Sequence, residues 1–381
     1  MEHKTRIKGN VHYVGVNDRN KHRFEGMWPL PYGVSYNSYL IDDEMVALVD
    51  TVDICYFEVY LRKIKQVIGE RPINYLIINH MEPDHSGSIR LIKQHYPEII
   101  IVGNKQTFGM IEGFYGVTGE QYLVKEGDFL ALGHHKLRFY MTPMVHWPET
   151  MMTFDETDGV LFSGDGFGCF GTVDGGFLDT RINVDKYWGE MVRYYSNIVG
   201  KYGSPVQKAL QKLGGLPISA ICSTHGPVWT ENIAKVIGIY DRLSRYDADE
   251  GVVIAYGSMY GNTEQMAEAI AEELSAQGVK NIVMHNVTKS HPSYIIADIF
   301  RYKGLIIGSP TYSNQIFPEV EALLSKILLR EVKGRYLGYF GSFTWAGAAV
   351  KRLAEFAEKS KFELVGDPVE MKQAMKDLTY T

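Results

Sequence analysis

Short apolar runs rich in β-branched and aromatic residues dominate the first two-thirds of the chain, where Gly, Asp and Pro separate them. Such runs predict β-strands. They are SYNSYLI (35–41), MVALVDT (45–51), NYLIIN (74–79), IIIVGN (99–104), KLRFYMTPM (136–144), TMMTFDE (150–156) and GVLFSGD (159–165). Helical patterns interrupt them at 56–69, 87–96 and 185–213. We therefore expect two sheets with outer helices, an αββα sandwich whose site lies at strand ends.

The pattern changes near residue 250 to a regular alternation of strands and helices. The predicted strands are GVVIAYGS (251–258), NIVMHNV (281–287), GLIIGSP (304–310) and RYLGYFGS (335–342), and the predicted helices are 263–278, 291–301, 318–330 and 347–360. This alternation predicts a doubly wound parallel sheet of roughly 130 residues. We interpret the charged stretch RLSRYDADE (242–250) as a linker, so the predicted domains are 1–249 and 250–381.

The composition, with 45% hydrophobic and 22% charged residues, is that of a soluble globular protein. A net charge of −6 without a Lys/Arg block predicts no nucleic-acid or anionic-membrane partner. The N-terminus lacks a signal-peptide core, and no run approaches the roughly 18 apolar residues of a membrane span. Cys55, Cys169 and Cys222 form no CxxC motif, and we interpret them as buried thiols in a reducing cytoplasm.

The stretch HMEPDHSG (80–87) places four ligand-type side chains directly after a predicted buried strand. Alternate residues of an extended chain point the same way, so we expect His80, Glu82 and Asp84 to share one face. The start of a helix then turns His85 inward. Two nitrogen and two oxygen ligands exceed what one ordinary zinc site requires from so short a segment.

Three further ligand-type residues, His146, Asp165 and His225, each stand at or just past the end of an apolar strand. A single His or Asp in such a position is more often a turn or structural residue, whereas the compact cluster is a strong signal. Together the seven ligands, three of them carboxylates, fit two metal ions better than one. The other histidines stand in contexts that predict solvent exposure: His3, His12, His22, His95, His134, His135, His285 and His291.

The loop SMYGNT (258–263) joins a predicted strand to a predicted helix. The hydroxyls of Ser258 and Thr263, the Asn262 amide and the N–H groups at a helix N-terminus form a cradle for an anion. The loop has neither the Lys of a P-loop nor a GxGxxG motif, which disfavours nucleoside triphosphates and dinucleotides. A cradle without cations resembles the FMN-phosphate loop of flavodoxins. Taken alone, an ordinary turn that caps a helix explains it better.

Two more polar loops follow the next strands of the same sheet, SPTYSNQIFP (309–318) and GSFTWAGAAVK (341–351). Ligands of such sheets bind at the carboxyl ends of the strands, and Tyr312 and Trp345 are suited to flank an isoalloxazine ring. Three such loops together predict an FMN site. The candidate FMN-binding residues are Ser258, Met259, Tyr260, Gly261, Asn262, Thr263, Pro310, Thr311, Tyr312, Asn314, Ser342, Phe343, Thr344, Trp345 and Ala346.

The motif His-x-Glu-x-Asp-His at 80–85, with the distant ligands and the three loops, resembles the flavodiiron protein family. The resemblance implies an N-terminal metallo-β-lactamase-like αββα sandwich followed by a flavodoxin-like doubly wound parallel sheet. Metallo-β-lactamases carry His where this chain has Glu82, and a carboxylate favours iron over zinc. The resemblance implies three ligand groups: His80, Glu82 and His146 for one iron, Asp84, His85 and His225 for the other, and Asp165 as the bridge.

The resemblance further implies an enzyme that uses FMN and two non-haem irons to reduce O2 to water, NO to N2O, or both. Tyr195 is predicted to be a proton or hydrogen-bond donor in its pocket. Family members form head-to-tail homodimers, so we expect a homodimer or a tetramer, with rubredoxin or another small carrier as the electron donor. Three cysteines are too few for an added rubredoxin-like Cys₄ module.

Two other functions compete with this interpretation. A zinc metallohydrolase fused to a flavodoxin domain shares the fold, but Glu82 argues against it and the metal content separates the two. A non-catalytic electron carrier with a degraded metal site is disfavoured because all seven ligand positions are filled. The preference between O2 and NO stays open, since Glu25 in RFEG and the segment SFTWAG depart from the family pattern.

Overall fold

The computed structural model describes residues 5–375, which form two compact units. The first unit extends to Tyr194 and resumes over Ser204–Asp241. The second comprises Tyr195–Gly203 and the chain from Arg242 onward. This division differs from the predicted ranges 1–249 and 250–381 because Tyr195–Gly203 packs within the second unit, where the Asn197 amide donates to the Ser293 carbonyl at 3.0 Å.

The strands up to residue 223 are short. Those over 34–103 and 136–164 lie in the predicted apolar runs, whereas the strands before residue 34 and those over 121–131 were not predicted. In chain order the strands are β1 Arg6–Lys8, β2 Val11–Tyr13, β3 Val16–Asp18, β4 Arg23–Phe24, β5 Trp28–Pro29, β6 Val34–Tyr36, β7 Tyr39–Ile41, β8 Ala47–Val49, β9 Tyr75–Ile77, β10 Ile100–Gly103, β11 Gln121–Leu123, β12 Phe129–Ala131, β13 Lys136–Met141, β14 Met151–Asp155, β15 Val160–Gly164 and β16 Ala220–Ser223. The helices of this part are α1 Phe57–Ile68, α2 Pro83–Ser86, α3 Ile89–His95, α4 Lys105–Tyr115, α5 Asp185–Tyr194, α6 Gly203–Leu213 and α7 Ile233–Ser244.

Two sheets form the first unit. One has the order β1-β2-β7-β8-β9-β10-β11 and the other the order β12-β13-β14-β15-β16. Buried residues of both sheets, such as Ile41, Ile77, Phe139 and Phe162, belong to one hydrophobic cluster, so the core lies between the sheets. The strands β8 to β11 are parallel, as are β15 and β16, and parallel strands bring their carboxyl ends to the same edge of a sheet.

The second unit is a parallel sheet with helical crossovers. Its strands are β17 Asp249–Tyr256, β18 Ile282–Asn286, β19 Tyr302–Tyr312, β20 Gln315–Ile316, β21 Tyr336–Phe343, β22 Glu363–Leu364 and β23 Val369–Lys372, and its helices are α8 Asn262–Ala276, α9 Pro292–Arg301, α10 Pro318–Arg330 and α11 Ala349–Ser360. The order is β18-β17-β19-β21-β22, with β23 also paired to β21. The first strand thus lies inside the sheet, as in doubly wound folds with a switch point.

The predicted fold class is confirmed in both parts, but the local predictions differ from the structure in three respects. The helix predicted over 185–213 is interrupted after Tyr194 by a π-helical turn and a 3₁₀ turn, and α6 begins with Gly203 and Pro205 in its first turn. The charged stretch 242–250 is not a free linker, because α7 runs into it and β17 begins within it. The helices α4 and α7 were not predicted. In the part of the chain that the structure describes, no helix has the length and apolarity that crossing a membrane requires.

Candidate functional site

Seven ligand-type side chains meet where loops that follow the strands of both sheets come together in the first unit. They are His80 after β9, Glu82 before α2, Asp84 and His85 within α2, His146 between β13 and β14, Asp165 after β15, and His225 after β16. Six of the seven residues are buried, and the side chain of Asp84 is 13% exposed. Segments that are far apart in sequence therefore form one buried polar cluster.

One half of the cluster consists of His80, Glu82 and His146. Nε2 of His146 lies 3.1 Å from Oε2 of Glu82 and 3.0 Å from Oδ2 of Asp165. Nε2 of His80 lies 3.6 Å from each of these two oxygens. Two imidazoles and one carboxylate thus face a single oxygen of Asp165.

The other half consists of Asp84, His85 and His225. Nε2 of His225 lies 3.3 Å from Oδ2 of Asp84, and Nε2 of His85 lies 3.2 Å from Oδ1 of Asp165. His225 Nε2 is also 3.6 Å from the same Asp165 oxygen. The Asp165 carboxylate therefore presents one oxygen to each half, and the Thr224 hydroxyl donates a hydrogen bond to Oδ1.

The backbone at α2 explains how adjacent residues reach different halves. Glu82 is extended, with φ −60° and ψ 131°, whereas the helix begins at Pro83. The expectation that Asp84 shares an extended face with His80 and Glu82 is therefore wrong. The helical turn instead directs Asp84 and His85 toward His225, and a ring nitrogen of His85 also lies within 4.8 Å of ligand atoms of His80, Glu82 and Asp165.

Two of the imidazoles are fixed from behind through their other ring nitrogen. Nδ1 of His80 lies 2.6 Å from Oε1 of Glu149, which also accepts the Met81 N–H at 2.9 Å. Nδ1 of His225 donates to the Ser35 carbonyl at 2.8 Å. In both rings the contact at Nδ1 leaves Nε2 directed at the cluster, which is how metal-binding histidines are usually oriented.

The cluster shifts the pKa values of its members strongly. Burial alone lowers the pKa of His80, His85 and His146, but the neighbouring carboxylates outweigh it and raise these pKa values to about 10, 10 and 9. Burial raises the pKa of Glu82, yet His146 and His80 bring it down to about 2. The pKa of Asp165 also lies well below its usual range, since His85 and His146 outweigh its burial. Without a metal, the imidazoles hold protons that a cation has to displace.

Several buried polar atoms of the cluster make no hydrogen bond within the described residues. They are Nε2 of His80, Nε2 of His225, both ring nitrogens of His85 and both carboxylate oxygens of Asp84. Because buried polar groups are normally paired, this concentration of unpaired atoms indicates a ligand that completes them. Imidazole nitrogens mixed with carboxylate oxygens, without a thiolate, suit non-haem iron. The residues present therefore fit a metal centre with two positions.

The structure distinguishes two adjacent tyrosines. The predicted donor Tyr195 is buried against Phe300, with ring centroids 6.2 Å apart. Its neighbour Tyr194 packs against His225, with ring centroids 5.8 Å apart. Burial, followed by the charge of Asp165, raises the pKa of Tyr194 well above its usual value, so this hydroxyl stays protonated. Of these two tyrosines, Tyr194 lies at the cluster, one residue before the predicted donor, and Tyr36 packs against the same His225 ring with centroids 5.9 Å apart.

Sequence reasoning missed Glu149 and Tyr194, although each had a signal. Glu149 follows His146 in HWPET and stands in a turn two residues before β14, whose five residues are all buried. Tyr194 lies on the same helical face as Tyr187 and Met191, which are buried residues of α5. The Ser35 contact uses a backbone carbonyl, for which a sequence gives no side-chain signal.

Predictions about three isolated residues are wrong. His12 and His135, predicted to be exposed, are 3% and 1% exposed. Nδ1 of His135 lies 2.9 Å from the Asp155 carboxylate, which accounts for its burial. Cys55 is exposed, whereas Cys169 and Cys222 are buried as predicted.

In the second unit, a surface cavity of about 440 Å³ lies at the carboxyl ends of β17, β19 and β21. Every predicted FMN-binding residue except Gly261 lines it, and Ser313 and Gln373 join them. Gly261 instead shapes the first loop, because it precedes α8 with φ 90° and donates its N–H to the Ser258 hydroxyl at 3.2 Å. The topology thus gathers all three predicted loops around one cavity.

The cavity has a polar inner part and an aromatic rim. The hydroxyl oxygens of Thr263 and Ser342 lie 2.9 Å apart, and both residues are buried. Tyr260 and Trp345 are 90% and 82% exposed at the rim. Among the residues described as lining the cavity there is no Lys or Arg. Hydroxyls beside a helix N-terminus suit a phosphate, and exposed rings suit a planar heterocycle, so the lining fits FMN.

Comparison with known families matches both parts of the chain. Residues 34–226 match the family described as "ODP family beta lactamase", and residues 254–380 match the flavodoxin family. The chain is 32% identical over 363 residues to the anaerobic nitric oxide reductase flavorubredoxin of Vibrio vulnificus, covering 94% of this chain and 73% of that protein. The protein of the same name from Escherichia coli is 31% identical, with 94% and 76% covered.

Solved structures show the same similarity. The rubredoxin oxygen:oxidoreductase from Desulfovibrio gigas superposes with a TM-score of 0.93 at 31% identity, covering 97% of this chain and 93% of that chain. The flavodiiron protein from Giardia intestinalis superposes with a TM-score of 0.92 at 28% identity, covering 97% and 91%. These relatives are named as oxidoreductases or flavodiiron proteins, so the comparisons do not favour the zinc hydrolase.

Proposed function

The chain belongs to the flavodiiron protein family, and on this basis we propose that it reduces O2 to water, NO to N2O, or both. It is an oxidoreductase with FMN in its flavodoxin-like unit and a non-haem diiron site in its metallo-β-lactamase-like unit. The relatives named above include a nitric oxide reductase and an oxygen oxidoreductase, so both gases are substrates to test.

One observation carries the proposal: the two oxygens of Asp165 face two separate groups of ligand-type residues. His80, Glu82 and His146 would hold the first iron, Asp84, His85 and His225 would hold the second, and Asp165, which presents one oxygen to each half, would serve both. Three carboxylates in one site, of which Glu82 and Asp165 are buried, offset the charge of two divalent cations, and an all-imidazole site carries no such negative charge.

When bound, the irons supply open coordination positions and electrons for the gas, and FMN supplies one or two electrons at a time. The side chains provide the surroundings for that chemistry. Glu149 and the Ser35 carbonyl hold two imidazoles in fixed orientations. The burial of Phe24 and Tyr194 beside His225 keeps water away from the cluster. The Tyr194 hydroxyl, which stays protonated beside His225, offers a hydrogen bond or a proton.

The cavity at the ends of β17, β19 and β21 would hold FMN. The loop 258–263 and Ser342 would bind its phosphate through hydroxyls and backbone N–H groups, and Trp345 and Tyr312 would flank the ring. The described lining contains no Lys or Arg, so neutral hydrogen-bond donors and the dipole of α8 would stabilise the phosphate charge.

Electron delivery and assembly are further parts of the proposal. Rubredoxin or another small carrier donates electrons to FMN, which is consistent with the names of the relatives from Desulfovibrio gigas and Vibrio vulnificus. A head-to-tail homodimer sets the FMN of one copy against the irons of the other. The exposed rings of Tyr260 and Trp345 support it, because a second copy that covers them removes apolar surface from water. The three cysteines are free thiols, which fits action in the reducing cytoplasm.

The test is anaerobic stopped-flow absorbance of the iron-loaded, fully reduced protein mixed with NO or, separately, with O2. We expect at least one gas to re-oxidise the flavin on a catalytic timescale, and Asp165→Ala and His80→Ala to abolish this. The faster gas identifies the main substrate. Failure of both gases to draw electrons from the loaded protein contradicts the proposal.

A further inference from the structure

The two halves of the metal centre differ in what supports their histidines from behind. In the half with His80, the ring contacts a carboxylate, since Nδ1 lies 2.6 Å from Oε1 of Glu149. In the half with His225, the ring contacts a neutral group, the Ser35 carbonyl, at 2.8 Å. For His85, Nδ1 makes no hydrogen bond within the described residues. One half therefore has a carboxylate in direct contact behind a ligand ring, whereas the buried Asp50 carboxylate acts on both His85 and His80 without a hydrogen bond to either ring.

The contacts of Glu149 direct its negative charge toward His80. The side chain is fully buried, and its Oε1 contacts His80 and the Met81 N–H. Its Oε2 has no hydrogen-bond partner among the described residues. The Glu149 backbone carbonyl accepts from the Asn104 amide at 2.6 Å, which fixes the position of the residue. A buried carboxylate with so few partners is costly unless a nearby cation balances it.

We propose that Glu149 is a positioning residue that makes the metal position of His80, Glu82 and His146 the tighter of the two, so that this position fills first. The inference rests on the proposed function, because it requires two metal positions. A carboxylate behind an imidazole fixes the ring and increases electron donation from its Nε2, which strengthens the bond to a cation. A carbonyl fixes the His225 ring but adds no charge, so the second position stays the weaker one.

The order of filling is measurable on the flavin-containing protein after its metal is removed by a chelator. Under argon, the protein is dialysed to equilibrium against increasing Fe²⁺ at constant pH, and bound iron is determined by elemental analysis. We expect two separate binding steps. The variant His146→Ala should lose the tight step and His225→Ala the weak one, which shows which position each step belongs to.

The variant Glu149→Gln tests the role of the charge. Its amide oxygen still accepts from the Met81 N–H and from His80, so the shape is kept while the charge is lost. We expect the tight step to weaken roughly 10- to 100-fold and to merge with the weak step. The matched control Glu156→Gln removes a carboxylate bound to Arg138 in the same unit and should leave both steps unchanged.

Circular dichroism of the metal-free proteins shows whether Glu149→Gln folds. If it does not, Glu149→Asp keeps the charge, and we expect it to keep the order of filling. Three results overturn the inference but not the proposed function. They are equal iron affinities of the two positions in the wild type, loss of the tight step in His225→Ala, and equal weakening of both steps in Glu149→Gln. A wild-type protein that binds no iron overturns the proposed function as well.

Discussion

Asp165 reaches His146 through Oδ2, which lies 3.0 Å from the imidazole Nε2, while the other carboxylate oxygen faces His85 at 3.2 Å. No other residue of the cluster has contacts of this kind to both halves among the described residues. The position of Asp165 directly after the buried strand β15 fixes this geometry, because the strand end is anchored in the core between the sheets.

The first prediction follows from that bridge. Asp165→Asn should lower both the iron content and the rate of gas reduction, the latter by at least about 100-fold, because one substitution removes charge from two metal positions. Elemental analysis and stopped-flow re-oxidation measure the two effects. Asp367→Asn, at an exposed position of the second unit, is the control and should behave like the wild type. Normal iron content in Asp165→Asn would count against a bridging role.

The second prediction separates the adjacent tyrosines. Tyr194→Phe should slow gas reduction roughly tenfold or more at unchanged iron content, since it removes the protonated hydroxyl beside His225. Tyr195→Phe, whose ring packs against Phe300, should leave the rate unchanged. Steady-state rates and iron content of both variants provide the test. If the rate falls in Tyr195→Phe instead, the residue predicted from the sequence is the donor.

The third prediction concerns the flavin cavity. Thr263→Ala should weaken FMN binding about tenfold, because one buried hydroxyl near the phosphate cradle contributes about 1 to 1.5 kcal/mol. Quenching of FMN fluorescence on titration with flavin-free protein measures the affinity. Ser275→Ala changes an exposed hydroxyl near the other end of α8 and serves as the control. Equal FMN affinities of Thr263→Ala and the control would show that the FMN phosphate does not bind at this loop.

The fourth prediction concerns the backbone that carries His225. Gly226 has φ 82°, and a Cβ added there would collide with Sγ of Cys169. Gly226→Ala should therefore destabilise the fold by about 2 to 4 kcal/mol. Gly109→Ala, in α4 with open space around the new Cβ, should instead stabilise by about 0.5 to 1 kcal/mol. Urea unfolding of the metal-free proteins measures both changes in unfolding free energy. An unchanged unfolding free energy in Gly226→Ala would show that the loop adjusts to the added methyl group.

The fifth prediction is a pH dependence of stability. Burial lowers the pKa of His135, but the Asp155 carboxylate, with Asp158 and Asp43, raises it above its ordinary value of 6.5. The folded state thus holds this proton more tightly than the unfolded state does. The resulting stabilisation is complete below the ordinary pKa and is lost as the pH rises through the raised pKa. His135→Gln should therefore cost more unfolding free energy at about pH 5.5 than at about pH 9, as measured by urea unfolding. Equal costs at both pH values would exclude a charged His135.

Much of the fold and of the candidate site was predictable from the sequence because the signals are local. Apolar runs that end in Gly, Asp or Pro predicted the strands β9, β10, β13, β14 and β15, and each exists in the structure. The density of ligand types in HMEPDHSG distinguished a metal motif from isolated histidines. The three flavin loops were predictable because each follows a strand of one parallel sheet, and parallel strands bring their ends together.

Tertiary structure alone decided which groups stand behind the ligands. The Glu149 carboxylate reaches His80 across 69 residues and the Ser35 carbonyl reaches His225 across 190, and only the packing of two sheets makes such contacts. It also decided that Tyr194 and not Tyr195 lies at the cluster, because the helix phase at the end of α5 determines which side chain points inward. Sequence by itself determined the residue types available for chemistry, whereas their orientation and charge balance arose from burial, which local patterns do not encode.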